Sequence, residues 1–367
     1  MTSPLRSAAL ALAALATAAS AQPTDAGRPS GVPLDSLVRA YAQANDLPSL
    51  VVGVVVDGQR TVVGAGEVDG AVPDARTLYE IGSVTKAVTS LLLADAVVRG
   101  ETTLETPLAD VLRAPVASHA AGPVRLVDLA THTSGWPRLD LATTLQPGFD
   151  PADPYAAYGA DRLAAFLRTV PPSAAPGARH AYSNTAVGAL GYALARRADT
   201  TYAALVSDRV LGPLGMAETF VTVPDSLADR FATGHDASGP VPHWTLQDAT
   251  VGAGGLRSTA ADMLTLAEAV VRPDETPLAE AIALTLQPRV AVAERVEQGL
   301  GWFLAELNGG GTMAFHDGGT GGFVSFVAAL PQDGIGLVVL ANRTGDVSGL
   351  AYEVLGRLRD ARAGRGD

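Results

Sequence analysis

The stretch SLVVGVVVDGQRTVVGAGEVDG, Ser49–Gly70, holds two β-branched runs on either side of DGQR. Apolar runs joined by an Asp-Gly turn predict an antiparallel hairpin. The far end of the chain repeats the pattern. GWFLAELNGGGTMAFHDGG (residues 301–319) and GFVSFVAALPQDGIGLVVLAN (322–342) each set two strand-like runs around a Gly- or Pro-rich turn. The spacing therefore predicts one antiparallel sheet assembled from both ends of the chain, closed by a helix over SGLAYEVLGRLRDARA (348–363).

The middle reads differently. Helical periodicity dominates DRLAAFLRTV (161–170), TAVGALGYALARRA (185–198), TYAALVSDRVLGPLGM (201–216) and STAADMLTLAEAVVR (258–272). Pro-rich connections separate these segments, and no strand is expected among them. The expected class is α/β (α+β): an antiparallel sheet flanked by helices, with an inserted, mostly helical lobe. The sheet-centred lobe covers about residues 22–100 and 251–367, and the insertion about 101–250, within a single catalytic domain (22–367). A cleft between two such lobes is a common place for an active site.

Residues 1–21 read as an export signal. Arg6 precedes the apolar SAALALAALATAA, too short to span a bilayer, and the small residues Ala19-Ser20-Ala21 mark a cleavage point. The expectation is an exported protein, periplasmic or extracellular, with no stable membrane insertion. The chain has no cysteine, which excludes disulfides and thiolate metal sites. A net charge of −12 argues against nucleic acid as a partner. The six histidines lack metal-ligand spacing, so neither metal nor cofactor is expected. A monomer is the simplest reading.

One residue stands out against this composition. Lys86 is the only lysine among 26 basic residues; the rest are arginine. It lies in SVTKAVTSLLLADAVVRG (83–100), which reads as a helix capped by Gly100. Ser83 and Lys86 share a helical face one turn apart. Taken alone, the pair is also an ordinary N-cap serine beside a solvated lysine. Chemistry supplies a reason for the exception, because arginine does not shed its proton in a protein and lysine does when burial lowers its pKa. Two further elements follow. In HAYSNTAVGALG, Tyr182 and Asn184 lie two apart before a helix, so in an extended segment they point the same way. The alternative is a buried tyrosine beside a helix-capping Asn184. In FHDGGTGGFVSF, His316 ends a strand, and Gly318 and Gly319 permit close backbone approach to a ligand.

In this order and spacing, SVTK, YSN and HDG resemble the three motifs of the serine β-lactamase and DD-peptidase superfamily, and segments such as LVDLATHTSGWPRL, VLGPLGMAETF and GAGGLRSTAADM resemble its class C branch. The likeness covers about residues 35–360. It implies Ser83 as the acylated nucleophile, with Lys86 and Tyr182 as its acid–base partners. It further implies that Asn184 holds the substrate amide, with His316, Gly318 and Gly319 also lining the substrate, and that the N–H groups of Ser83 and Gly319 form the oxyanion hole. The implied activity is hydrolysis of β-lactams or D-Ala-type peptides, with an esterase or a non-turnover penicillin-binding protein as alternatives. The third motif departs from the family's Lys-Thr-Gly. An ordinary histidine is only about a quarter charged at pH 7, and Asp317 would repel a substrate carboxylate. Arg138 offers a substitute cation but reads more readily as an exposed loop residue. His132 reads as structural.

Overall fold

The computed structural model describes residues 31–140, 145 and 149–364; the expected signal segment lies outside them. Twelve strands are present among these residues. They are β1 (Ser49–Val56), β2 (Gln59–Gly66), β3 (Leu78–Glu80), β4 (Gly234–Asp236), β5 (Gly239–Val241), β6 (Arg257–Thr259), β7 (Val290–Ala293), β8 (Val296–Gln298), β9 (Phe303–Glu306), β10 (Thr312–Gly319), β11 (Val324–Leu330) and β12 (Ile335–Ala341). Eight form one antiparallel sheet in the order β2-β1-β12-β11-β10-β9-β8-β7. The N-terminal hairpin joins the C-terminal hairpins through β1 and β12, with Val52 opposite Val339. A sheet built from both ends of the chain is what the three hairpin patterns predict.

The longer helices are α1 (Leu34–Ala44), α2 (Thr85–Val98), α3 (Ala160–Thr169), α4 (Asn184–Arg197), α5 (Ala260–Val271) and α6 (Ser348–Ala363). Helices cover both sheet faces, which is why β1 is buried at every position and reads as an unbroken apolar run. Val51 and Val55 face the core shared with α2, α4 and α5. Leu50, Val52 and Val54 face the core shared with α1 and α6. Each such side chain, buried fully, contributes about 1.5–3 kcal/mol. Gly53 leaves room for a neighbour, since a Cβ there would come within 2.8 Å of Leu264 Cδ1.

Two details depart from expectation. The middle of the chain is not free of strands: β4 and β5 form a small ribbon, and β3 pairs with β6. Strands β7 and β8 extend the main sheet, although the alternation in VAVAERVEQ is short and its turn contains no glycine. Arg295 takes the left-handed backbone there, at φ 59°.

Candidate active site

Ser83 sits in a 3-10 turn, Gly82–Val84, that leads directly into α2. Neighbouring elements hold this turn. Ile81 N–H donates to Leu256 O at 3.1 Å, and the Ser325 hydroxyl donates to Ile81 O at 2.8 Å. β10 pairs with β9 only over Thr312–Phe315, and the turn packs against β10 beyond that stretch, at Gly318 and Gly319. The approach is close enough to require glycine on both sides. A Cβ at Gly82, whose φ is 47°, would lie 2.6 Å from Gly319 N, and one at Gly318 would lie 2.1 Å from Ile81 O and 3.0 Å from Ser83 N. The main-chain nitrogens of Ser83 and Gly319 are thereby brought to one place, at the start of a helical segment whose first N–H groups have no partner within the helix.

α2 is apolar on nearly all sides and is buried from Thr85 through Ala96. It carries Lys86 into the interior, where the side chain is fully buried. Lys86 Nζ donates to Ser83 Oγ at 2.8 Å and to Ala253 O at 2.5 Å. Burial lowers its pKa well below that of an ordinary lysine, the Arg138 charge lowers it further, and Asp317 opposes both. Arginine in this place would remain a buried cation; lysine can be neutral.

Tyr182 completes the group. Its ring centroid lies 4.9 Å from Lys86 Nζ. Burial raises the phenol pKa, and the Ser83 side chain opposes the shift. His132 fixes the ring. The two rings stack with centroids 4.2 Å apart, and His132 accepts the N–H groups on either side of Tyr182: Ala181 at its carbonyl (2.7 Å) and Ser183 at Nδ1 (3.1 Å). Burial drives the His132 pKa well down, so Nδ1 is free to accept. His132 is thus structural, as its sequence reading held, but what it holds in place is Tyr182.

Asn184 does not share Tyr182's outlook. Ser183 is the N-cap, accepting the Ala186 N–H at 3.0 Å, so the backbone turns into α4 between Tyr182 and Asn184. The extended-segment argument fails for that reason, and so does the capping role considered for Asn184. Its Nδ2 donates to the Tyr155 hydroxyl at 3.0 Å, while Oδ1 is buried without a partner. The residue lines a small, mainly apolar cavity with Leu139, Tyr155, Tyr158 and Thr250.

A larger cavity of ≈ 290 Å³ opens onto Ser83, Tyr182, Gly318 and Gly319. His316 does not line it. Alternation along β10 turns His316 inward, towards Tyr182 and Phe303, with Nδ1 2.6 Å from Asp317 O. Burial lowers its pKa to about 3, and the nearby Lys86 adds to the effect. The expectation of a partly charged substrate-contacting histidine is corrected: the ring is neutral and buried. The same alternation turns Asp317 into the cavity. Arg138 also lines it, its guanidinium 4.9 Å from the Tyr182 centroid. The residue is exposed, as expected of a loop arginine, and it brings a positive charge to the cavity. Geometrically the ensemble offers a hydroxyl nucleophile, a lysine able to be neutral, a phenol and two main-chain donors at one mouth.

Comparison with known proteins shows the family of the chain. A family model described as Beta-lactamase matches residues 34–358. The chain is 28% identical over 345 residues to a β-lactamase of Pseudomonas fluorescens, covering 84% of this chain and 92% of that protein. It is 30% identical over 311 residues to the D-alanyl-D-alanine-carboxypeptidase/endopeptidase AmpH of Escherichia coli, covering 79% and 78%. Among solved structures, a class C β-lactamase from Rhodobacter sphaeroides superposes with a TM-score of 0.72 at 26% identity, covering 90% of this chain and 98% of that one. A β-lactamase/D-alanine carboxypeptidase from Pseudomonas syringae superposes at 0.77 and 22%, covering 90% and 99%, and supports the fold.

Proposed function

The chain belongs to the Beta-lactamase family of serine hydrolases, and we propose that it is an exported enzyme that hydrolyses β-lactams or D-Ala-type peptides through an acyl-enzyme on Ser83. The observation that carries the reading is the fully buried Lys86, hydrogen-bonded to Ser83 Oγ at 2.8 Å. In this mechanism Ser83 Oγ gives its proton to the Lys86–Tyr182 pair and attacks the substrate carbonyl carbon. Negative charge on the carbonyl oxygen meets the N–H groups of Ser83 and Gly319, where one donor is worth about 3–4 kcal/mol of barrier. Tyr182 passes the proton to the leaving nitrogen, which departs as the acyl-enzyme forms. A water then gives its proton to the same pair and attacks the ester, and Ser83 leaves with a proton restored. His132 keeps the phenol in line through both halves. Export is part of the proposal and rests on the signal-like residues 1–21; among the described residues no helix is long and apolar enough to cross a membrane.

Asp317 in the cavity favours a second reading, an esterase on the same scaffold, because a carboxylate beside the substrate disfavours the carboxylate of a penicillin or a D-Ala terminus. One experiment separates the readings. The mature protein is incubated with a chromogenic cephalosporin, a D-Ala-D-Ala peptide and a p-nitrophenyl ester, and product release and intact mass are followed. Cephalosporin or peptide turnover supports the first reading. Turnover of the ester alone supports the second, and a stalled adduct on Ser83 supports a penicillin-binding protein. Absence of any adduct or turnover overturns the shared mechanism.

A further inference from the structure

The cavity that opens on Ser83 continues along β10 to a second carboxylate. Asp317, on β10, and Asp346, in the loop after β12, both line it, and its floor is aromatic: Phe315, Phe326 and Tyr352. Phe326 stacks on Phe315 at 5.8 Å and meets Tyr352 edge-on at 5.6 Å. Asp346 is held in place, its Oδ1 accepting the Ser348 N–H at 2.8 Å and its carbonyl the Tyr41 hydroxyl at 2.9 Å. Among the described residues neither carboxylate is within ion-pairing distance of a basic side chain. Arg138, the one cation among the described residues that line the cavity, lies against the Tyr182 ring. Burial raises the Asp317 pKa and the Asp346 charge raises it further, while the Lys86 and Arg138 charges oppose the shift.

Among the described residues these two carboxylates stand beside aromatic rings without an ion pair, and an ammonium group satisfies both surroundings at once. It pairs with the carboxylates and lies on the negative faces of the rings. A carboxylate in the same place meets repulsion from both. We propose that Asp317 and Asp346 make this end of the cavity a cation subsite, so that the enzyme selects substrates carrying an ammonium group on the portion that extends from the reacting carbonyl along β10. The inference rests on the hydrolase reading for the identity of the reacting end, and it deepens that reading by naming the charge of the substrate.

The test measures binding separately from catalysis. Two N-acetyl-D-alanyl amides of matched length, one of 1,2-diaminoethane and one of β-alanine, are titrated calorimetrically into the Ser83→Ala protein. The ammonium ligand is expected to bind roughly tenfold more tightly than the carboxylate ligand. Asp346→Asn in the same background, an exposed loop substitution that can keep the Ser348 contact, should lower that ratio several-fold, and Asp317→Asn should lower it further. Equal or tighter binding of the carboxylate ligand, a preference unmoved by Asp346→Asn, or no binding of either ligand overturns the proposal. Turnover of the same amides by the unaltered protein is then followed. An ammonium preference in binding without hydrolysis supports the subsite and counts against the hydrolase reading instead.

Discussion

At the scale of single residues, the lone lysine is explained by where α2 takes it. A permanently charged side chain there would be a buried cation with a hydroxyl and a carbonyl as its direct partners, a costly arrangement. Lys86→Arg is therefore expected to lower kcat/KM by about 10²–10⁴-fold while circular dichroism still reports a folded protein. Retention of most activity would sink the assignment. Tyr182→Phe keeps the stack on His132 and removes only the hydroxyl, so a loss of similar size should appear with little change in melting temperature. The depressed Lys86 pKa also sets a direction with pH. Its neutral form is available below the ordinary lysine range, so kcat/KM should rise on an acidic limb that ends well under pH 10 and disappears in Lys86→Met.

At the scale of elements, the decisive contact is the 3-10 turn against the end of β10. Gly318 has no room for a methyl group, whereas a Cβ on Gly319 meets only Phe323 O, at an ordinary 3.8 Å. Two neighbouring glycines thus make opposite predictions. Gly318→Ala forces the turn away and should cost about 1–3 kcal/mol of stability together with most of the activity. Gly319→Ala should leave stability within error. Thermal melts and steady-state kinetics on the two variants decide, and equal behaviour would mean that the turn does not dock as described. The glycine richness of the segment was visible in the sequence; which glycine is indispensable depends on what lies opposite.

For the whole molecule, the site couples to stability through neutral buried groups. His316 has a folded pKa of about 3, well below an ordinary histidine. Between pH 3 and about 6.5 the unfolded chain binds the extra proton, so stability is full above about 6.5 and is lost as the pH falls through that window, by about 1.4 kcal/mol per pH unit per proton. His132 and His180 are shifted in the same direction by burial. His316→Gln should flatten the decline of melting temperature between pH 7 and pH 4.5 relative to the unaltered protein. Parallel curves would show that His316 is not the group responsible.

The sequence by itself determined the hairpins, the sheet drawn from both chain ends, the closing helix and the shared helical face of Ser83 and Lys86, whereas Tyr182 joined them only through the resemblance of the three motifs. These features are written in local periodicity, turn chemistry and short spacings, and a run such as SLVVGVVV carries its strand with it. Only the tertiary structure decided that His316 turns inward and Asp317 outward, that Asn184 faces a different cavity from Tyr182, and that Arg138 lies against the Tyr182 ring. The same holds for protonation. Lys86 is bonded to Ala253, 167 residues away, and His132 to Ser183, 51 residues away. Desolvation and the direction of a side chain are set by such distant neighbours, and no local pattern encodes them.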